Sequence, residues 1–293
     1  MAATEIRLGE YTINEGSSPY FIAEIGINHN GDIQIAKRLI DAAFAIGWDC
    51  VKFQKREPDI AVPEAQKDVI RDTPWGQMSY LDYKKRIEFG KAEYDAIDEY
   101  CKGKPISWTA SPWDIPSLEF LLQYDVPFIK LASAANGNKE LIRKTCEAQK
   151  PIIISTGMCM QEELDTCVSW LEHYSDGNYI LMHTNSTYPA ANDKLNLRYI
   201  QTLKERYHCL VGYSGHEQNL EPTVMAVTLG ARVIERHVTI SHTMWGTDQK
   251  ASLEINAMDM LYKRCMSVMQ AMGDGEKTLD EDEMQVRAKL RGM

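Results

Sequence analysis

The chain has 293 residues, 44% of them hydrophobic, and a formal net charge of -10 from 32 basic and 42 acidic side chains. That length suits one large α/β barrel. No Pro/Gly/Ser-rich stretch reads as a linker, so residues 1–293 are taken as a single domain. The acidic balance argues against non-specific binding to nucleic acid, whose electrostatic footprint is basic. No run approaches the ~18 apolar residues of a membrane span.

The opening residues, MAATEIRLGEYTI, lack the apolar core of a signal peptide. Cys50, Cys101, Cys146, Cys159, Cys167, Cys209 and Cys265 occur without CxxC spacing and read as reduced thiols. The expected setting is cytoplasmic.

In chain order, Glu5–Ile13 predicts a small hairpin placed to plug a barrel bottom. Eight short apolar runs follow: Tyr20–Asn28, Cys50–Lys55, Ile106–Pro112, Phe128–Ala134, Pro151–Gly157, Tyr179–Ser186, Leu210–His216 and Arg232–Thr239. Their continuous apolar character suits parallel strands buried on both faces. Helical patterns fill the gaps. In Asp32–Gly47, Ile33, Ala36, Leu39, Ile40, Ala43 and Phe44 recur at helical spacing, and Gly47 sits at the expected stop. Leu118, Leu121 and Leu122 mark another helix, and Leu195–Arg206, Leu220–Gly230 and Leu253–Met272 mark three more. Eight strands alternating with helices predict a (β/α)8 TIM barrel. An open doubly wound sheet is the runner-up, but EIGINHNG after the first run is not its GxGxxG loop. Between the second and third runs lie roughly fifty residues, a long insert by loop-length priors. Its segment Thr73–Phe89 predicts an extra helix with Tyr80, Tyr83 and Ile87 on one face, a lid over the barrel mouth, or both.

The catalytic face of such a barrel lies at the C-terminal ends of its strands. Those ends carry Glu24 and Asn28, Lys52 and Gln54, Ser111, Lys130 and Ser133, Ser155 and Thr156, Ser186 and Tyr188, Ser214 and His216, and Glu235 and His237. Any one of these could be a structural ion pair or bond. So many together point to a site, because buried charge is expensive unless paired or engaged with a ligand. Two lysines among hydroxyls suit phosphate and carboxylate. His216 and His237, on adjacent strand ends, suit a metal such as Mn, Fe, Co or Zn with positions left open for substrate. His29, His183, His208 and His242 are given structural or surface roles.

The runs AEIGINHNGD (Ala23–Asp32), VKFQK (Val51–Lys55), PFIKLAS (Pro127–Ser133), IISTGM (Ile153–Met158), STYP (Ser186–Pro189), GYSGHE (Gly212–Glu217) and ERH (Glu235–His237) strongly resemble the N-acetylneuraminate (sialic acid) synthase family. The resemblance covers about Tyr20 to Gly275. It implies a phosphoenolpyruvate-dependent sugar-acid synthase, a transferase acting on an N-acyl amino-sugar aldehyde such as N-acetylmannosamine or its 6-phosphate. It places a divalent metal, Mn with Mg or Co as alternatives, on His216 and His237. It assigns phosphoenolpyruvate contacts to Lys52, Ser111, Lys130, Ser133, Ser155 and Ser214, and the sugar side to Gln54, Tyr188 and Asp248; Ser186 is a further substrate-binding candidate. Glu24 matches the acid acting at the reacting enol. A homodimer is a common family state.

Three departures follow. Ala135 stands where the family usually has an acid contacting the sugar, and Gln249 replaces the histidine of a GxDH pattern. The residues after the last barrel helix leave no room for the small antifreeze-like domain that many members carry, so the resemblance is to the barrel domain alone. The alternatives are a barrel enzyme using another aldose or catalysing an aldol reaction, and a non-catalytic sugar-acid-binding relative.

Overall fold

The computed structural model describes residues 2–291. Eight parallel strands form the central sheet: β1 (Tyr20–Gly26), β2 (Cys50–Lys55), β3 (Ser107–Pro112), β4 (Ile129–Leu131), β5 (Ile152–Ser155), β6 (Tyr179–Thr184), β7 (Leu210–Gly215) and β8 (Val233–Thr239). Hydrogen-bonded neighbours run β3–β2–β1–β8–β7–β6–β5–β4. β3 and β4 share no ladder. There the Thr109 hydroxyl donates to the Phe128 carbonyl at 2.8 Å and bridges the seam. The sheet is therefore the nearly closed barrel of a (β/α)8 fold.

Eight helices pack outside it: α1 (Ile33–Ile46), α2 (Lys91–Lys102), α3 (Ile115–Leu121), α4 (Lys139–Glu147), α5 (Gln161–Tyr174), α6 (Tyr199–Tyr207), α7 (Glu221–Thr228) and α8 (Ile255–Met272). α1 begins at an Asp32 cap that accepts from the Gln34 N–H, and stops at Gly47 in the left-handed region. Several strands end a residue or two short of expectation and α6 starts at Tyr199 rather than Leu195; two boundaries differ for a visible local reason. The predicted strand through Ala134 ends at Leu131, because Ser133–Ala135 turns into a short 3-10 helix. The predicted helix from Leu253 starts at Ile255, because Leu253 and Glu254 first pair with Val238 and Thr239 of β8.

Strand periodicity sorts the side chains. Ala23 and Ile25 of β1 and Val51 and Phe53 of β2 join the core between sheet and helices. The alternate positions face the barrel interior. At the N-terminal end these are apolar: Tyr20, Ile22, Cys50, Phe128, Ile153, Ile180, Leu210 and Val233 form one cluster. The hairpin Ile6–Leu8/Tyr11–Ile13 closes that end by adding Ile6, Leu8 and Ile13 to it.

The insert forms a hairpin (Ile70–Thr73/Gly76–Ser79) and a helix (Tyr80–Ile87). Tyr83 and Ile87 pack on Ile27, with Met78, Tyr80 and Trp245 around them. Gly31 permits this close seat, since a Cβ there would lie 2.9 Å from the Arg86 carbonyl oxygen.

Candidate active site

At the C-terminal end the interior positions turn polar. Strand register sets His237 of β8 beside Glu24 of β1, and Glu24 beside Lys52 of β2. It also sets Gln54 beside Ser111, Thr184 beside Ser214, and Ser214 beside Glu235. A cavity of about 210 Å³ opens here. Glu24, Lys52, Gln54, Ser111, Lys130, Ser133, Ser155, Ser186, Tyr188, Ser214, His216 and His237 all line it. Asp248, Asn28 and Thr156 do not: Asp248 stands 3.8 Å from His237 Nδ1, and the Thr156 hydroxyl donates to the Met182 carbonyl. Asn28 is also a brace: its side-chain amide donates to the Val238 carbonyl and the Ser252 hydroxyl.

The floor is an ionic lattice with almost no exposure. The Lys52 ammonium lies 2.7 Å from a Glu24 oxygen and donates to Ser111 at 2.9 Å. The Lys130 ammonium donates to Ser155 at 2.7 Å and to the Leu131 carbonyl at 3.0 Å. Glu235 lies between the two lysines, 3.8 Å from Lys52 and 3.9 Å from Lys130, and accepts from Ser214. The Gln54 amide donates to Glu24 at 2.8 Å. Gly157 allows the serines to converge: a Cβ there would sit 2.4 Å from Ser186 Oγ and 2.8 Å from Ser133 Oγ.

Burial raises Glu24 to about 7; Lys52 pulls it down, and Glu235 pushes it up further. Burial acts on Glu235 too, but the charges of Lys130 and Lys52 overcome it and hold that carboxyl low. Burial lowers Lys130 to about 8 against the attraction of Glu235. Burial also works against the charge on Lys52, yet Glu235 and Glu24 together hold it above its usual value. Two cations and one firmly ionised carboxylate, with a second able to take a proton near neutrality, suit an anionic ligand.

The histidines form the upper wall, with ring centres 5.3 Å apart. His216 Nδ1 lies 2.6 Å from the Asn185 carbonyl, which can only accept, so Nδ1 carries the proton and Nε2 keeps its lone pair. Burial, and then His237, lower His216 to about 4, and burial lowers His237 as well. Neutral imidazoles with a free nitrogen are what a metal requires. His237 Nδ1 is buried with no hydrogen-bond partner, which fits the same use. Among the described residues no group of three or more His, Cys, Asp or Glu gathers as a cage. A cation here would have two protein ligands and open positions. Tyr188 stacks on His216 at 4.1 Å between ring centres.

A second buried network aims these histidines. Arg236, just before His237, pairs with Glu217, just after His216, at 3.1 Å and with no exposure of either. Thr223 and Tyr213 donate to the same carboxylate. Breaking such a pair by removing one partner costs about 3–5 kcal/mol.

Glu235 appeared in the sequence only as one more polar strand end, and its bridging of two lysines was missed. Trp113, Thr184 and Met158 also line the cavity and were missed; only their places at or just past strand ends could have signalled them. Ala135 faces the apolar core, and Ala134 lines the cavity instead. Gln249 is a loop brace, accepting from the Thr239 hydroxyl and donating to the Trp245 carbonyl at 3.3 Å. Buried His29 stacks on Phe89 at 3.7 Å, and His183 meets the Leu195 carbonyl.

Charged and polar side chains gathered at the C-terminal mouth of a (β/α)8 barrel are the arrangement of a barrel enzyme. The chain is a member of the NeuB family, whose model matches residues 39–277. It is 38% identical over 240 residues to the N-acetylneuraminate-9-phosphate synthase of Drosophila melanogaster, covering 81% of this chain and 64% of that protein. It is 36% identical to the mouse (Mus musculus) protein of the same name, covering 94% of this chain and 77% of that one. The crystal structure of N-acetylneuraminic acid (sialic acid) synthetase from Leptospira borgpetersenii, in complex with citrate, superposes with a TM-score of 0.86 at 30% identity. The match covers 99% of this chain and 98% of that one. Among the described residues no helix is long and apolar enough to cross a membrane.

Proposed function

We propose that this chain condenses phosphoenolpyruvate with an N-acyl amino-sugar aldehyde of the N-acetylmannosamine kind, giving a nine-carbon 2-keto sugar acid and inorganic phosphate. The carrying observation is the pair of buried lysines, Lys52 and Lys130, set among serines beneath two neutral histidines. In this reading residues 1–293 act as one catalytic domain on small molecules; the cytoplasmic setting rests on the free thiols, and the homodimer on the family resemblance alone.

Lys52 and Lys130 neutralise the carboxylate and phosphate of phosphoenolpyruvate, while Ser111, Ser133, Ser155 and Ser214 supply directional donors. A divalent cation on His216 and His237, manganese ahead of magnesium or cobalt, would supply Lewis-acid polarisation of the aldehyde oxygen. Glu24 faces the reacting enol. Its carboxylate offsets the positive character that grows at C2 as C3 bonds to the aldehyde carbon, and its elevated pKa lets it hold or yield a proton near neutrality. Gln54 fixes the Glu24 carboxylate in place. Lys130 and its serines keep hold of the phosphate while water adds at C2 and the C2–O bond breaks. Ser186 and Tyr188 form the sugar side, and Asp248, outside the cavity lining, acts on it only through His237. Because both reactants share one mouth, the entropy of bringing them together is met on binding.

The test is incubation of the purified chain with phosphoenolpyruvate, Mn and a panel of aldoses. Phosphate release should depend on metal and on an acylamino aldose, and fall by about 10²–10⁴ in Glu24→Gln. Absence of turnover with every acceptor would sink the reading.

A further inference from the structure

Arg56 directly follows β2 and is 7% exposed. Its side chain forms no ion pair with any described residue, unlike that of Lys55 beside it, which meets Glu88 at 3.0 Å. The guanidinium lies over the Trp113 indole, 4.3 Å from the ring centre. The Arg56 backbone N–H donates to Glu88 at 2.8 Å. Among the described residues its one side-chain hydrogen bond goes to the Gln54 side-chain oxygen, while Nη1 is buried with no partner. A buried cation without an acid is expensive. Such exceptions gather where function requires them.

A guanidinium has donors and no acceptor. The Gln54 atom that faces it is therefore the amide oxygen, and the amide nitrogen points the other way. That nitrogen donates to Glu24 Oε1 at 2.8 Å. The other Glu24 oxygen, Oε2, lies 2.7 Å from the Lys52 ammonium. Both carboxylate oxygens are thus held, each by a side chain of β2. The backbone makes room for this arrangement. The ladder between β1 and β2 shifts register between Glu24 and Gly26, and a Cβ on Gly26 would lie 3.1 Å from Glu24 Oε1 and 3.2 Å from Gln54 Nε2. Without Arg56 the Gln54 oxygen has no other donor among the described residues, and the side chain is tied at one end only. It is then free to swing into the cavity that it lines. A charged donor on the oxygen also polarises the amide and strengthens the N–H bond that Glu24 accepts.

We propose that Arg56 is a positioning residue for the reaction: it anchors the Gln54 amide, and Gln54 in turn holds the Glu24 carboxylate in the one orientation that faces the reacting enol. The proposal rests on the condensation reading above. Arg56 itself does not line the cavity. It acts two side chains away from the chemistry, so its loss should appear in kcat. The KM for phosphoenolpyruvate should change little, because Lys52, Lys130 and the serines are left as they were.

Two measurements test this. In the first, Arg56→Met should lower kcat for phosphate release at least about tenfold and leave the KM for phosphoenolpyruvate within about twofold. Arg56→Lys, which keeps a charged donor, should recover most of the loss. In a Gln54→Leu background Arg56→Met should cost nothing further in kcat, because Arg56 acts only through Gln54. The second measurement needs no turnover. With isotope-labelled glutamine followed by NMR, the Gln54 side-chain amide is identified by its absence in Gln54→Leu. It should be protected from solvent exchange in the wild-type chain and lose at least about tenfold of that protection in Arg56→Met. Thermal melting checks that each variant folds. Arg56→Gln, which accepts as readily as it donates, replaces Arg56→Met if that variant does not fold, with the same direction of change. An equal loss of kcat with and without Gln54, or an amide indifferent to Arg56, overturns the proposal. If the wild-type chain turns over no acceptor, the condensation falls, while loss of amide protection in Arg56→Met would still retain the anchor.

Discussion

Lys130 is 1% exposed, and its ammonium donates to Ser155 and the Leu131 carbonyl and faces Glu235 at 3.9 Å. Burial brings it to about 8, so it loses its charge within an ordinary assay range. The protonated form is the one that attracts an anion. The kcat/KM for phosphoenolpyruvate, which reports groups in the free protein, should decline above about 8 as this charge is lost. Lys130→Arg, charged at every accessible pH, should lose that alkaline limb even if its plateau is lower. A profile still falling at the same pH in Lys130→Arg would assign the limb to another group. The candidate lysines, serines and histidines were legible because polar residues stood where a barrel strand should be apolar. The place of Glu235 between two lysines was not, because Lys52 and Lys130 lie on strands away from its own. Asp248 was legible as a residue but not as one standing behind the cavity wall, since loop paths have no periodicity to read.

Among the elements, the eight strands were legible because each is a short apolar run bounded by a helical pattern. Along most strands the interior positions pass from apolar to polar, as Tyr20, Ile22 and Glu24 do on β1, whereas β3 with Ser107, Thr109 and Ser111 is polar throughout. The sequence therefore carries both the core and the site at a period of two. Strand ends were less legible where polar site residues end the ladder, as at Ser133. The insert was readable as a helix with Tyr83 and Ile87 buried, but its hairpin was not, since Ile70–Thr73 and Gly76–Ser79 have no buried face to impose alternation. No insert residue lines the deep cavity; its bearing on function runs through the rim. Trp245 holds it there, edge-on to Tyr83 at 4.9 Å and to Trp75 at 6.1 Å. Trp245→Ala should raise the KM for the sugar several-fold and leave that for phosphoenolpyruvate unchanged, with a stability loss on the order of 1–2 kcal/mol. Equal change in both constants would show that the insert serves the fold as a whole.

For the whole molecule, the N-terminal hairpin and the barrel are one cooperative unit. Leu8 has no exposure and packs among interior residues contributed by the barrel strands. Leu8→Ala should cost about 2–5 kcal/mol, measured by urea unfolding, although the residue lies at the opposite end of the barrel from the histidines. A loss under 1 kcal/mol would mean that the hairpin is an ornament on a self-sufficient barrel. The seam between β3 and β4, closed by a side chain, had no counterpart in the sequence pattern, because Thr109 looks like any other strand residue.

The plugged floor has a kinetic consequence. A vessel sealed at one end admits and discharges its contents through the same opening, so the ligand with the deeper seat must enter before the one above it. With the lysines at the bottom and the sugar side at the rim, phosphoenolpyruvate loads first and the aldose second. Excess aldose then blocks its partner's path, and initial rates should show substrate inhibition by the sugar that phosphoenolpyruvate relieves. Random-order kinetics would require a second way in, which the hairpin denies.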